Sequence, residues 1–488
     1  MWSFVQRRQI RQLVQKTHGA DLKQPSASIE KGTSPTRRPS RLHFPKSRDS
    51  KQKQRVDPSE GILVEFEPDD PLNPQNWPLT SRCKNLVILS LLIFVQGWAG
   101  SSESMESSRA SAEFNVSKVT ENLSTALYLM GVATGAPFAG PLSETSGRNP
   151  TRRHSEGESV RDQFRDVKRA FVFPIIAWVN VIGPCAAPIA SGWLVSNHNL
   201  SWRWPDWTTL IISSAAFLVA FAFLPETYPP LLLDWKAKEL RLATGNHRYT
   251  SQHARTASFV GRLRHNVKLG AKFWITEMPI IVFGLYLMLL YILLFTFLSG
   301  FEYIFKDTYG LSDGLLGSCF ASIAAGSTAF AITAPWLYSW ARRHTEYVRG
   351  ASLEPEFRLW PAMVTSPLLP ISLFWLGWTN YPGISLWSGL AACFVFGIVI
   401  TAVYISSYEY IIDSYEDHSA IALASITMAR YLVAGGMVMA ARPMYEGIGV
   451  HWTMTLLGCL AAVLCPAPVV FWYYGPKLRT KSEYTDAS

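Results

Sequence analysis

This sequence predicts an all-α integral membrane protein, a helical bundle of about ten spans, on three observations. Apolar segments of membrane length recur near 85–102, 122–142, 171–195, 207–224, 278–299, 315–336, 359–378, 385–407, 421–441 and 453–474. Clusters of Lys and Arg stand between them on alternate sides. The mean hydropathy is only +0.10, because long polar tails and loops dilute the apolar segments. Roughly 20 apolar residues cross about 30 Å of hydrocarbon. Without water in the bilayer, each span must be helical to satisfy its own backbone.

Taken in order, residues 1–70 read as a disordered, basic cytoplasmic tail, rich in Lys, Arg, Ser, Gln and Pro and poor in aromatics. Its first twenty residues (MWSFVQRRQIRQLVQKTHGA) contain no acid. They fit either a basic amphipathic helix of the presequence kind or a plain cytosolic tail. Residues 71–228 hold four spans, 229–272 form a cytoplasmic loop, 273–475 hold six spans, and 476–488 are a cytoplasmic tail. Gly131 and Gly135 make a small-xxx-small pair of the kind that lets membrane helices approach closely.

The charges orient the chain. With the N-terminus inside, the basic clusters at 143–170 (Arg148, Arg152, Arg153 and others) and 225–277 (Lys236, Lys238, Arg241 and others) are cytoplasmic. The opposite loops keep only strays such as Arg109, Lys118, Arg203, Lys306 and Arg442. The net charge of +9 therefore reports orientation, and no nucleic-acid partner is expected. Acceptor sequons at Asn115, Asn122 and Asn199 fall in or beside the outer loops. Asn115 and Asn199 are the glycosylation candidates, since Asn122 lies too close to the membrane. The six cysteines are scattered singly, with no metal spacing, and are expected to be buried free thiols.

Ionisable groups at membrane depth default to function. Arg430 stands inside the span 421–441, Glu409 and Asp413 near the cytoplasmic end of 385–407, and Glu302 at the outer end of 278–299. Glu103 and Glu106 close the first span. Tyr404, Tyr408, Tyr410 and Phe301 are candidate aromatic faces for a cation. Interfacial solvation is the alternative for Glu103, Glu106 and Asp413, and also for Arg430 and Glu409. Pro184 and Pro188 break the backbone ladder of their span and, with Gly183 and Gly192, give a bent, thin helix. Structural and functional kinks make the same sequence. No GxxxxGK[ST], HExxH or GxSxG is present, so an enzyme or an ATP-driven pump is not expected, and neither is a metal or a cofactor.

Several runs resemble the major facilitator superfamily, in particular the fungal drug–proton antiporters and their polyamine-exporter-like branch. DPLNPQNWP resembles the approach to the first family helix. LYLMGVATGAPFAGPLSETSGR ends in a run similar to the gating motif, through Gly140, Leu142, Glu144, Gly147 and Arg148. IGPCAAPIASGW resembles the antiporter motif of the fifth family span through Gly183, Pro184, Pro188 and Gly192. YEYIIDSYEDHSAIALASITMAR and the other second-half runs follow in family order.

The resemblance covers roughly 70–145 and 165–480. It stops at the polar stretch SGRNPTRRHSEGESVRDQFRDVKRA (146–170), where the third and fourth family spans, and the arginine motif of the fourth, are absent. What it implies is a major facilitator-type bundle with about ten spans instead of twelve. Such a chain would be a monomeric secondary transporter in the lipid bilayer of the plasma membrane rather than the vacuole. It would export polyamines or drug-like organic cations against inward proton flow, the proton gradient supplying the driving force. Glu302, Tyr408, Glu409, Asp413 and Arg430 are the substrate or proton candidates. A truncated, non-transporting form of the same family stands as the alternative.

Overall fold

A computed structural model describes residues 2–18, 62–67, 69–146, 163–164, 166–197, 199–251, 259–349, 355–415, 418–480 and 482–485. Its contacts divide the chain into two units, one made of Ser3–Asn73 with Pro229–Thr256, the other of Pro74–Tyr228 with Ala257–Ser488.

In the smaller unit the first residues take the amphipathic-helix alternative. Residues Trp2–His18 form helix α1, and Ile62–Leu63 (β1) pairs in parallel with Tyr249–Thr250 (β2). Ile10 and Val14 are buried, Arg7 lies 4.9 Å over the Trp235 ring, and Arg11 reaches Glu239 at 3.9 Å. Lys236 pairs with Asp70 at 2.5 Å. The apolar residues of α1 recur at i, i+4, and that stripe outweighs the polar composition.

The larger unit holds the membrane helices. They are α2 (Leu79–Ala99), a short α3 (Ser107–Phe114) and α4 (Lys118–Glu121), α5 (Leu123–Ser146), α6 (Asp166–Ser196) and α7 (Trp204–Phe223). In the smaller unit α8 (Pro229–Thr244) intervenes, and α9 (Phe259–Thr276) returns to the bundle. Then come α10 (Met278–Phe301), α11 (Asp313–Arg349), α12 (Trp360–Thr365), α13 (Leu368–Trp378), α14 (Leu386–Tyr415), α15 (Ser419–Leu464) and α16 (Ala467–Arg479). Among the described residues, eight helical elements are long and apolar enough to cross a bilayer. The last, Ser419–Arg479, runs 61 residues and is interrupted at Gly449, whose φ of 78° is open to glycine at little cost. It is long enough for two crossings, and α5 adds one more, so the ten expected spans all fall on helical segments, 359–378 and 453–474 on two helices each.

Glycines set the closest crossings. A side chain at Gly183 would meet the Phe94 carbonyl oxygen at 2.6 Å and Gly97 Cα at 3.3 Å, which locks α6 to α2. One at Gly192 would meet the Asp313 carbonyl oxygen at 2.6 Å and Gly317 Cα at 3.3 Å, which locks α6 to α11. Gly326 and Gly397 play the same part between α11 and α14, against the backbones of Phe394 and Ile323. Dispersion between close backbones replaces the hydrophobic drive that lipid removes. Leu127, Gly131, Thr134 and Phe138 form an exposed stripe on α5, and nothing lies within 4 Å of the place a Gly131 side chain would take. Of the cysteines, Cys185, Cys319 and Cys393 are buried free thiols as expected, whereas Cys83 and Cys459 are exposed, facing outward from their helices.

Candidate functional site

The site is built where α2, α5, α6, α10, α14 and α15 converge. Arg430 of α15 is 3% exposed, and its guanidinium lies among four tyrosine rings. It stands 4.3 Å from the Tyr291 centroid, 5.4 Å from Tyr404, 5.5 Å from Tyr408 and 5.2 Å from Tyr431. Tyr404 and Tyr408, one helical turn apart, stack at 4.3 Å. Asn180 ties the cluster together: its Nδ2 donates to Tyr404 Oη at 3.2 Å, and its Oδ1 accepts from Tyr291 Oη at 2.7 Å. Gln96 Nε2 donates to Tyr431 Oη at 3.4 Å. Arg430 Nε and Nη1 have no hydrogen-bond partner among the described residues. Cation–π attraction of ~0.5–2 kcal/mol per ring offsets part of the desolvation of that charge.

A small cavity beside this cluster is lined by Gln96, Tyr128, Asn180, Pro184, Tyr291 and Tyr431, among others. It shares Gly100 and Phe295 with a larger, more polar cavity lined by Ser104, Asn122, Glu302, Lys306 and Arg442. The larger cavity lies at the end of the bundle that carries the sequons.

All but two of the expected residues can now be placed. Arg430 and Tyr408 are in the cluster. Glu302 begins a π-helical turn, Glu302–Lys306, and is engaged by Lys118 at 3.2 Å and Arg442 at 3.5 Å. Glu409 and Asp413 sit at the opposite end, where Arg358 Nη1 meets Glu409 at 3.2 Å and Arg358 Nε meets Asp413 at 2.8 Å. Beside them, Arg479 holds Glu356 by two bonds of 2.9 and 2.8 Å. Tyr410 and Phe301 do not face the cavities: Tyr410 packs on Phe283 at 5.3 Å and Phe301 on Phe320 at 4.2 Å.

Gly183, Pro184, Pro188 and Gly192 form the two helix crossings described above, and Pro184 also lines the small cavity. Gly140, Leu142 and Glu144 lie in the last turns of α5, while Gly147 and Arg148 lie outside the described residues. Asn115 is exposed, in the left-handed conformation that ends α3, and Asn199 is exposed in the loop before α7. The sequence reading missed Tyr291, Tyr431, Asn180, Gln96 and Arg358. Of these, Gln96 and Asn180 carried a signal, as lone amides inside apolar spans.

Glu106, just past the first span, is 2% exposed. Burial first, then the carboxylates of Asp206, Glu103 and Glu121, push its carboxyl up to about 9. A group whose folded pKa lies above its unfolded value binds its proton more tightly when folded. Its contribution is therefore full below the unfolded pKa and is lost as pH rises through the folded value. The melting temperature of the purified protein should fall between pH 5 and pH 9, and Glu106→Gln should flatten that slope. An unchanged slope in the variant would show that Glu106 is ionised in the fold.

The comparisons with known proteins fit this architecture. The family model of the Major Facilitator Superfamily matches residues 158–439. The chain belongs to that superfamily. The MFS-type transporter kojT of Aspergillus flavus is 37% identical over 474 residues, taking in 88% of this chain and 84% of the relative. The major facilitator superfamily multidrug transporter FLU1 of Candida albicans is 28% identical, over 86% of this chain and 76% of its own length. The solved structure of the MFS proton:xylose symporter XylE superposes with a TM-score of 0.56 at 13% identity, covering 82% of this chain and 96% of the other. That likeness speaks for the fold alone. Membership of this superfamily makes the chain a multi-pass membrane transporter and not an enzyme.

Proposed function

We propose that this chain is a proton-coupled exporter of small organic molecules, with the two neighbouring cavities on its substrate path. The observation that carries the reading is a buried polar cluster, Arg430 with its tyrosines and Asn180, placed between helices of both sequence halves, with a small cavity beside it that shares two lining residues with a larger one at one end. Rocking of the halves about such a site is the alternating-access mechanism. The multidrug relative supports the drug-like substrate class. At the opposite end the Arg358–Glu409–Asp413 pairs hold helices together. This is the kind of contact that a transporter must break and remake. The pair of Glu144 and Arg148 is proposed as a second such contact, and Gly183–Gly192 as the seal between α6 and its neighbours. The orientation proposed has both termini in the cytoplasm, in the plasma membrane, with a monomer as the working unit.

The narrower reading, a polyamine or other organic cation, draws on the tyrosine faces. It is weakened by the acids, because Glu302, Glu409 and Asp413 each already face a cation of this chain. The proposed absence of two family spans also has support. The kojT alignment is 474 residues long, yet 88% of this 488-residue chain is about 429. About 45 aligned positions thus lack a residue here, close to two spans of roughly 20.

Cells expressing the chain should expel radiolabelled spermidine or ethidium more slowly when an uncoupler is added, if the cation reading holds. A version with the hairpin restored near position 150 should export several-fold faster. Export of neither compound by either version would remove the cation reading, and equal rates would show that ten spans suffice.

A further inference from the structure

We infer that α9 and the apolar cavity beside it bind one anionic glycerophospholipid, its phosphate on Arg264 and Lys268 and an acyl chain in the cavity.

The neighbours of α9 place it at the edge of the bilayer. Glu277, extended at φ −99° and ψ 98°, separates α9 from α10. The helix folds back along α10, because Trp274 fills the space beside Gly284, where a side chain would meet its ring at 2.5 Å. At 1.5 Å per residue, Gly284 stands about 9 Å along α10 from Met278. Leu269, Gly270 and Phe273 form the buried side of α9, with Gly270 against Ser425 of α15. The last turns of α9 therefore lie beside a membrane-spanning segment.

The rest of the helix carries two uncovered rows. Val267, Ala271 and Ile275 recur at i, i+4 and i+8 and are exposed, Ile275 at 80%. Arg264, Lys268 and Lys272 are exposed at the same spacing and form the neighbouring row round the helix. Lys272 donates to Tyr484 Oη at 2.6 Å and lies 4.0 Å from Glu483. No ion pair among the described residues takes Arg264 or Lys268. An apolar row beside a basic one is the pattern of a helix lying where headgroups meet acyl chains, and Trp274 suits the same depth.

A cavity of about 110 Å³ between α5, α9 and α15 is lined by Pro137, Val267, Ala271, Trp274, Ile421 and Met428, among others. It has room for several water-sized groups, and its wall is almost wholly apolar. Val267 and Ala271 belong both to this wall and to the uncovered row, which sets Arg264 and Lys268 within one turn of its edge.

Charge decides the occupant. A guanidinium and an ammonium one turn apart suit a phosphate diester, and Lys and Arg beside a bilayer attract anionic lipid. A second copy of this chain docking by the same face would set like rows against each other across a two-fold axis. A zwitterionic lipid brings an ammonium of its own, which these cations repel.

The full chain, purified in mild detergent, is titrated with dioleoylphosphatidylglycerol, dioleoylphosphatidylcholine or glycerol 3-phosphate. Bound molecules are counted by native mass spectrometry, and the melting temperature is followed. Phosphatidylglycerol should bind one to one, at least tenfold tighter than phosphatidylcholine, and raise the melting temperature, as ligands of the native state do. Glycerol 3-phosphate, which has the charge and no chains, should do neither. The double variant Arg264→Gln, Lys268→Gln should bring the preference below twofold, since each such cation contributes about fivefold. Its melting temperature without lipid should match the parent, both side chains being exposed. The exchange Arg264→Lys, Lys268→Arg should keep the preference. Ala271→Trp keeps both cations, fills the edge of the cavity and should weaken phosphatidylglycerol several-fold. Equal affinity for the two lipids overturns the inference, and so does a preference that survives the glutamine pair. Stabilisation by glycerol 3-phosphate alone, or unchanged lipid binding by Ala271→Trp, overturns it as well. The transport reading stands in every case, because the lipid site lies apart from the cavities near Arg430 and Glu302.

Discussion

Arg358→Met should be among the most destabilising single changes in the bundle. Arg358 is buried against Glu409 and Asp413, at 3.2 and 2.8 Å, with the Tyr338 ring 5.2 Å away. Removing the guanidinium leaves two carboxylates in a poorly solvated site, and breaking a buried pair in this way costs about 3–5 kcal/mol. The expected result is a large drop in the melting temperature of the purified protein and loss of transport. The triple variant Arg358→Met, Glu409→Gln, Asp413→Asn removes all three charges together and should recover most of the stability, because the uncompensated charge was the source of the loss. Transport should not return with it if the pairs also time the opening of that end. A single variant as stable as the parent would show that the acids are protonated or solvated in the fold.

Gly192→Val should be equally severe, for a steric reason. A β-carbon at Gly192 would stand 2.6 Å from the Asp313 carbonyl oxygen, where backbone of α11 cannot yield as a side-chain tip can. Overpacking of this kind costs ~1–3 kcal/mol when neighbours can shift, and here they are backbone. The helices must part, and the contact of α6 with α11 that joins the two halves goes with them. Gly131→Val is the control, since it adds the same atoms to a position with nothing within 4 Å and should stay within about 0.5 kcal/mol of the parent. Comparing transport and thermal stability of the two variants decides the matter. If they behave alike, the α6–α11 crossing is not the rigid contact its spacing indicates.

The spans were legible in the sequence because the bilayer allows an apolar segment one conformation. Arg430 was legible by depth, and Tyr404 and Tyr408 as candidate aromatic faces. Their companions were not. Tyr291 and Asn180 come from helices far away in sequence, and only packing brings them to Arg430. Glu409 and Asp413 read as free acids because their partner Arg358 lies 51 and 55 residues earlier, beyond any local pattern. For α1 the sequence left a helix and a plain tail both open, and what decides for the helix is that Ile10 and Val14 share one face with a surface to meet.

The lone charge of Arg430 also bears on how the membrane voltage would enter the cycle. In an alternating-access cycle that charge would lie nearer the cytoplasmic potential in one state and nearer the external one in the other. With the cell interior negative, the empty, positively charged carrier is drawn toward the inward-facing state by up to about 2.3 kcal/mol per 100 mV. The resting potential would then favour the inward-facing state and work against the outward step for as long as the charge of Arg430 stays unneutralised.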